Sequence, residues 1–221
     1  KIEAWIVMTD LKIRQASADD AGFLAWAILT AGRAHVQKGI WEVILGVPEE
    51  PCLHFLKRLS ITGPPHLFHY SCYLLAEMNG CPAACLGGYD PVTSGYEALS
   101  QALATVNLPL AGSASKETVI GKRPRILDCI PEAVDGAWVI DSVASVRDFR
   151  RKGIVGKILE EMLQRGRARG FKCAQVNVYI GNTAAQRLYE KHGFSTVEEI
   201  RDPYFESQIG SPGMACMLRN L

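Results

Sequence analysis

The spacing of apolar positions changes period several times along the chain, and each change marks an element. Leu11 to Gln15 alternates as a half-buried strand does; Phe23, Leu24, Ala27 and Ile28 then fall at helical spacing. Ser17 and Asp20 open that helix as a capping-box pair, with aspartate in the place of the usual glutamate. A second helix is expected over Glu49 to Leu59, after Pro48, with Leu53, Leu56 and Leu59 on one side. The stretch 68–90, FHYSCYLLAEMNGCPAACLGGYD, reads as two strands joined at Asn79-Gly80, a pair suited to the left-handed angles of a tight hairpin. The first of these strands is expected to run already from Tyr70 to Leu75.

From Pro91 to Asp135 the texture turns to Gly, Pro, Ser and Ala, with one clear helical stretch, Tyr96 to Val106. This segment is too short and too poor in large apolar residues to close a core of its own. It reads as an elaborated connection (about 91–135) within a single domain spanning residues 8–221. After it come a strand at Ala137 to Ser145, a helix at Ile154 to Ala168, a strand at 172–180 and a helix at Ala184 to Lys191. Strands at Phe194 to Glu199 and Met214 to Leu218 end the chain. An antiparallel hairpin followed by a β-α-β-α-β run is a mixed α/β pattern. Residues 1–7 precede Met8 and are set aside as an extension or an added remnant.

Composition narrows the class. With 221 residues, 48% of them hydrophobic and 21% charged, the chain can bury a sizeable core. A net charge of +1 provides no global field for nucleic acid, so none is expected as a partner. No apolar run reaches transmembrane length and no signal-peptide pattern is present, which sets the expectation of a cytoplasmic protein without a membrane partner. The seven cysteines are odd in number and scattered without a Cys-x-x-Cys pair, as free thiols in a reducing compartment would be. His66, His69 and Cys72 lie close together, but a spacing of three puts successive residues on opposite faces of the expected strand, so no metal is expected.

The chemistry concentrates at 150-RRKGIVGKILEEML-163, where basic residues and glycines precede an amphipathic helix. Free amides and positive charge at a helix start suit a phosphate. Two common phosphate cradles fail here. A Walker A loop would need glycine where Arg151 stands and a hydroxyl residue where Ile158 stands, and no Gly-x-Gly-x-x-Gly fingerprint is present. What remains is a strand, a basic turn and a helix N-terminus.

The segment 143-VASVRDFRRKGIVGKILEEML-163 resembles the coenzyme-binding motif of the GNAT acyltransferase superfamily, in which Gln/Arg-x-x-Gly-x-Gly/Ala opens a helix. Downstream, 182-NTAAQRLYEKHGF-194 resembles that family's second motif, Asn-x-x-Ala-x-x-x-Tyr-x-x-x-Gly-Phe. The resemblance covers about Ala137 to Phe194. It implies a mostly antiparallel central sheet flanked by helices, acetyl-CoA as cosubstrate, and acetyl transfer to an amine through a tetrahedral intermediate. It places the coenzyme on Val143, Ala144, Ser145, Arg150, Arg151, Lys152, Gly153, Ile154, Val155, Gly156 and Asn182, with strand amides near Val143 to Ser145 as oxyanion donors. Tyr189 matches the position that protonates the departing thiolate.

Asp141 is the candidate base. It is a carboxylate in apolar company on a strand whose alternation would put Val139, Asp141, Val143 and Ser145 on one face. Glu77 and Tyr204 are weaker candidates on the acceptor side. The chain departs from the family pattern at Val155, where glycine or alanine is preferred, and at Asn177, where some members carry a glutamate base. Those departures keep a second reading open, a coenzyme-A-binding regulatory module without turnover. The acceptor is left as a small-molecule, peptide or protein amine, and a homodimer is compatible with the pattern.

Overall fold

The computed structural model describes residues 10–110 and 123–221. Residues 1–7, and the middle of the 91–135 connection, fall outside the described residues. Strands β1 (Leu11–Gln15), β2 (Tyr73–Met78), β3 (Cys81–Tyr89), β4 (Ala137–Ser145), β5 (Cys173–Tyr179), β6 (Ser195–Arg201) and β7 (Gly213–Asn220) form one sheet in the order β1-β2-β3-β4-β5-β7-β6. Only β4 and β5 pair in parallel; every other neighbour is antiparallel. The result is a single α/β domain with a mostly antiparallel sheet, as the sequence implied.

The hairpin turns where its residues demand it. Asn79 and Gly80 both take positive φ, 52° and 77°, the angles of a tight primed turn. The expected strand start at Tyr70 is wrong, however. Residues Tyr70–Cys72 form a 3₁₀ turn closed by His69, whose Nδ1 accepts from the Ser71 amide (3.3 Å), and β2 begins at Tyr73. His66, His69 and Cys72 therefore lie in a loop and a turn, and each makes a bond of its own. His66 is fully buried and bonds Thr62 and Leu59, and the Cys72 thiol points to the His66 carbonyl (3.3 Å).

Helices α1 (Ala21–Arg33), α2 (Ile40–Leu45) and α3 (Glu49–Leu59) cover one sheet face, joined by α4 (Pro91–Ser94) and α5 (Tyr96–Thr105) from the connection. Leu24, Ile28, Phe55 and Leu56 pack there with Tyr73, Leu75 and Val139 of the sheet. The expected helix start at Ser17 appears as a 3₁₀ turn leading into α1, in which the Asp20 carboxylate accepts from the Ser17 amide (2.8 Å). On the opposite face α6 (Ile154–Ala168) and α7 (Thr183–Lys191) bury Ile158, Leu159, Met162 and Leu163 against Trp138, Ile140 and Val176. Gly166 is required by this packing: a Cβ there would stand 2.7 Å from Trp138 Cγ.

Three helices lie outside the sequence expectations, α4 among them. Besides α2, which ends on the left-handed Gly46, the tail read as loop carries α8 (Pro203–Ile209). Asp202 caps it by accepting from the Tyr204 amide (2.9 Å), Pro203 opens it and left-handed Gly210 closes it. No helix among the described residues is long and apolar enough to cross a membrane.

Candidate active site

The site begins with a fault in the sheet. Asp141 pairs with Gly87 and Ala144 with Cys85, so Ser142 and Val143 together oppose Leu86. That is a β-bulge, and Ser142 takes φ of 50°, unusual for a residue with a side chain. The bulge overturns the expected alternation. Val139 and Ala144 pack on the α1 face, whereas Val143 packs on the α6 face with Trp138 and Ile140. Asp141 and Val143 therefore do not share a face.

Beyond the bulge β4 and β5 part. Their parallel pairing ends at Ile140 with Val176, although β4 runs on beside β3 to Ser145 and β5 beside β7 to Tyr179. The Val146 amide donates to Ala83 on β3 (2.9 Å). By alternation the amides of Ser145 and Val143 point away from β3, into the opening.

The opening leads to the basic turn. Arg147–Phe149 form a 3₁₀ turn, and Arg151 and Gly153 take positive φ of 60° and 76°. The first bond at the start of α6 runs from Lys157 N–H to the Gly153 carbonyl (3.2 Å), so the amides of Ile154, Val155 and Gly156 precede it. Arg150 reaches back to donate to the Ser145 carbonyl (3.2 Å), and Lys152 lies over the Phe149 ring at 5.4 Å. Arg151, Lys152 and Gly153 are exposed, whereas the Ile154 side chain is core. Gly156 is held bare by His192: a Cβ would meet its Nε2 at 2.7 Å, and Glu160 pins that ring through Nδ1 (2.8 Å).

A cavity of about 860 Å³ runs from this turn through the gap to the α1 face. Val143, Ala144, Ser145, Arg150, Val155 and Asn182 line its end beside the basic turn, and Tyr189 and Asp141 line it further in. Arg151, Lys152, Gly153, Ile154 and Gly156 are not part of the lining. Asn182 caps α7, its Oδ1 accepting from the Ala185 amide (3.3 Å), and borders the cavity at the same time. Tyr189 is buried edge-on against Phe194; burial first, and then the charge of Asp141, push its hydroxyl pKa up. Asp141 is raised by burial, opposed by hydrogen bonds from Ser142, whose hydroxyl donates to its Oδ1 (2.7 Å).

The other end of the cavity is closed by a clamp. Asn177 Nδ2 donates to the Pro131 carbonyl (3.0 Å). Gln175, fully buried two residues away, accepts from the Val134 amide (2.8 Å) and donates to the Glu132 carbonyl (2.9 Å). Gln175 went unremarked in the sequence, although its spacing of two from Asn177 puts both amides on one strand face. Ser142 carried no sequence signal at all. Neither weaker candidate reaches the cavity: Glu77 is paired with Arg14 (2.7 Å), and the Tyr204 ring lies under Arg125 at 4.3 Å. No group of three or more His, Cys, Asp or Glu residues among those described could hold a metal ion.

With this geometry in hand, residues 112–194 match the model of the acetyltransferase (GNAT) family. The fold is a GNAT acetyltransferase fold. An N-acetyltransferase from Staphylococcus aureus Mu50 superposes with a TM-score of 0.67 at 20% identity, covering 94% of this chain and 99% of that one. A GCN5-related N-acetyltransferase from Kribbella flavida gives 0.54 at 15%, covering 96% and 98%. The ribosomal-protein-S18-alanine N-acetyltransferase from Escherichia coli gives 0.53 at 18%, covering 96% and 94%. No curated protein matches by sequence. At these identities the likeness shows the GNAT fold alone.

Proposed function

We propose that this protein transfers an acetyl group from acetyl-CoA to an amine. The observation that carries the reading is the continuity between the β4–β5 opening and the α6 N-terminus, reached at Val155, one of the residues whose amide precedes the first helical bond. A pyrophosphate is held at such a helix start by N–H groups and the positive helix end, with Arg150 at the rim. The pantetheine arm, itself a chain of amides, then fits the open strand edges of β4 and β5, which carry unpaired peptide groups. Asn182 and the amides of Val143 and Ser145 border that path.

Acetyl-CoA supplies a thioester: the amine nitrogen bonds the carbonyl carbon as the carbon–sulfur bond breaks. Asp141, with its pKa raised, takes the proton the amine must lose, directly or through a water. The amides of Val143 and Ser145 stabilise negative charge on the carbonyl oxygen. Tyr189, kept protonated by burial, gives its proton to the thiolate.

Acetyl-CoA should raise the melting temperature of the protein by binding the native state. Val155→Glu tests the phosphate end, because a carboxylate in the first helical turn is tolerated by the helix yet repels a phosphate. The variant should fold and lose the acetyl-CoA stabilisation. Unchanged coenzyme affinity in Val155→Glu would move the phosphates elsewhere.

A further inference from the structure

The acceptor end of the cavity carries more than acetyl transfer itself requires. The rings of Tyr89, Tyr96, Trp41 and Phe68 line it together with Leu99 and Leu103. Trp41 and Phe68 meet edge to face at 5.1 Å, a fixed aromatic corner. Asp141 lines the same cavity as Tyr89 and Tyr96, and after burial its charge raises both hydroxyls.

The charges at this end are one-sided. Glu97 and Glu132 are exposed at the rim and Asp141 lies inside, against the single guanidinium of Arg123 among the described lining residues at this end. Arg123 lies over the Tyr96 ring at 6.0 Å, but its donors are taken by the Leu127 carbonyl (2.6 Å) and Asp128 (3.7 Å). The groups that act on Asp141 are burial and Ser142, with no lysine or arginine among them. A carboxylate without a cation among aromatic rings favours an ammonium, which the rings also attract. The same walls offer few partners for the hydroxyls of a polyhydroxylated amine, and Asp141 repels an acceptor that carries its own carboxylate.

We infer that the acceptor is a monoamine with an apolar, ring-sized body, an arylalkylamine by chemical class, whose ammonium end meets Asp141 and whose ring lies in the corner of Trp41 and Phe68. This rests on the acetyl-transfer reading above.

Release of coenzyme A from acetyl-CoA should be compared for 2-phenylethylamine, glutamate, an aminoglycoside and a lysine-bearing peptide. The kcat/KM for 2-phenylethylamine should exceed the others by about 100-fold, the scale of burying a phenyl ring in an apolar pocket. Tyr96 is 45% exposed as a residue although its hydroxyl is buried, so the fold should tolerate Tyr96→Ala, which should raise KM for 2-phenylethylamine about 10-fold while the acetyl-CoA stabilisation persists. Ser100→Trp, which fills the pocket from a half-buried lining position, should do the same. Faster turnover with glutamate, the aminoglycoside or the peptide overturns the inference and leaves acetyl transfer standing. If acetyl-CoA neither stabilises the protein nor loses its acetyl group to any amine, acetyl transfer itself fails and the acceptor assignment falls with it.

Discussion

Asn177 Nδ2 lies 3.0 Å from the Pro131 carbonyl and donates to it. A carboxylate at this position would face that carbonyl as one acceptor against another, so the strand that carries a glutamate base in some relatives cannot carry one here without releasing the 130–133 wall. The amide is a fastener, and the proposed reaction then leaves the amine proton to Asp141.

Asn177→Ala should therefore loosen the acceptor wall and spare the coenzyme end. Loss of the donor leaves the buried Pro131 carbonyl unpaired, at a cost of about 1–3 kcal/mol. KM for the amine should rise while the acetyl-CoA dissociation constant stays put. A matching loss of coenzyme affinity would show that Asn177 supports the whole gap.

Asp141→Asn separates catalysis from stability. Burial holds the native carboxyl above its ordinary range, opposed by the Ser142 bonds, so the native state binds its proton more tightly than the unfolded chain. Its contribution to stability thus falls as pH rises through the window above ~3.9, the ordinary aspartate value. Asparagine keeps an acceptor for the Ser142 hydroxyl and does not titrate. The variant should match the wild type in acid, melt higher at neutral pH, and turn over about 10²–10⁴-fold more slowly. The defect should shrink as pH rises and more of the acceptor arrives neutral. A defect of one size at every pH would make Asp141 structural.

The sequence made most of the fold legible because its elements carry local signals. Asn79-Gly80 sets the hairpin register, and the apolar stripes of Glu49 to Leu59 and Ile154 to Ala168 match the helices to the residue. The bulge is another matter. Ser142 adopts left-handed angles without the glycine that would announce them, since what holds it is its neighbour's carboxylate and the pairing with β3. One residue of slip then turned Val143 to the opposite face and left Asp141 alone among tyrosines. The acceptor walls were equally hidden, because Trp41, Phe68 and Tyr96 come from three distant segments that only tertiary packing brings together. Pro203, at the head of α8, did advertise a helix start, with Asp202 before it and Gly210 after.

Tyr189→Phe removes only the hydroxyl, so the packing against Phe194 at 5.7 Å between ring centroids should survive. Because burial keeps that hydroxyl protonated well above neutral pH, it can act as an acid throughout the working range. Turnover should drop about 10–100-fold with acetyl-CoA affinity unchanged. The defect should ease for a thioester whose thiol is more acidic, since a better leaving group needs its proton less. A defect indifferent to the leaving group would assign the tyrosine to packing.

His66, bonded to the Phe68 stretch of the cavity wall, should set the acid limit of the fold. The Phe68 amide donates to its Nδ1 (3.2 Å), so the remaining ring nitrogen, Nε2, carries the hydrogen and reaches the Leu59 carbonyl (3.2 Å). Protonation at Nδ1 would destroy the Phe68 bond and bury a charge. Burial, partly offset by the Leu59 bond, accordingly brings this imidazole down to about 4. An imidazole lowered in the native state stabilises the fold above its unfolded value, ~6.5, and that stability is lost as pH falls towards 4. The whole drop corresponds to about 3 kcal/mol, to be read from urea unfolding at pH 7 and pH 4. His66→Gln, which does not titrate, should start less stable at neutral pH and show a shallower acid limb. If the acid limbs of variant and wild type run parallel, the acid sensitivity belongs to the carboxylate pairs instead, with Asp20, held at about 2 chiefly by Arg14, the first to examine at lower pH.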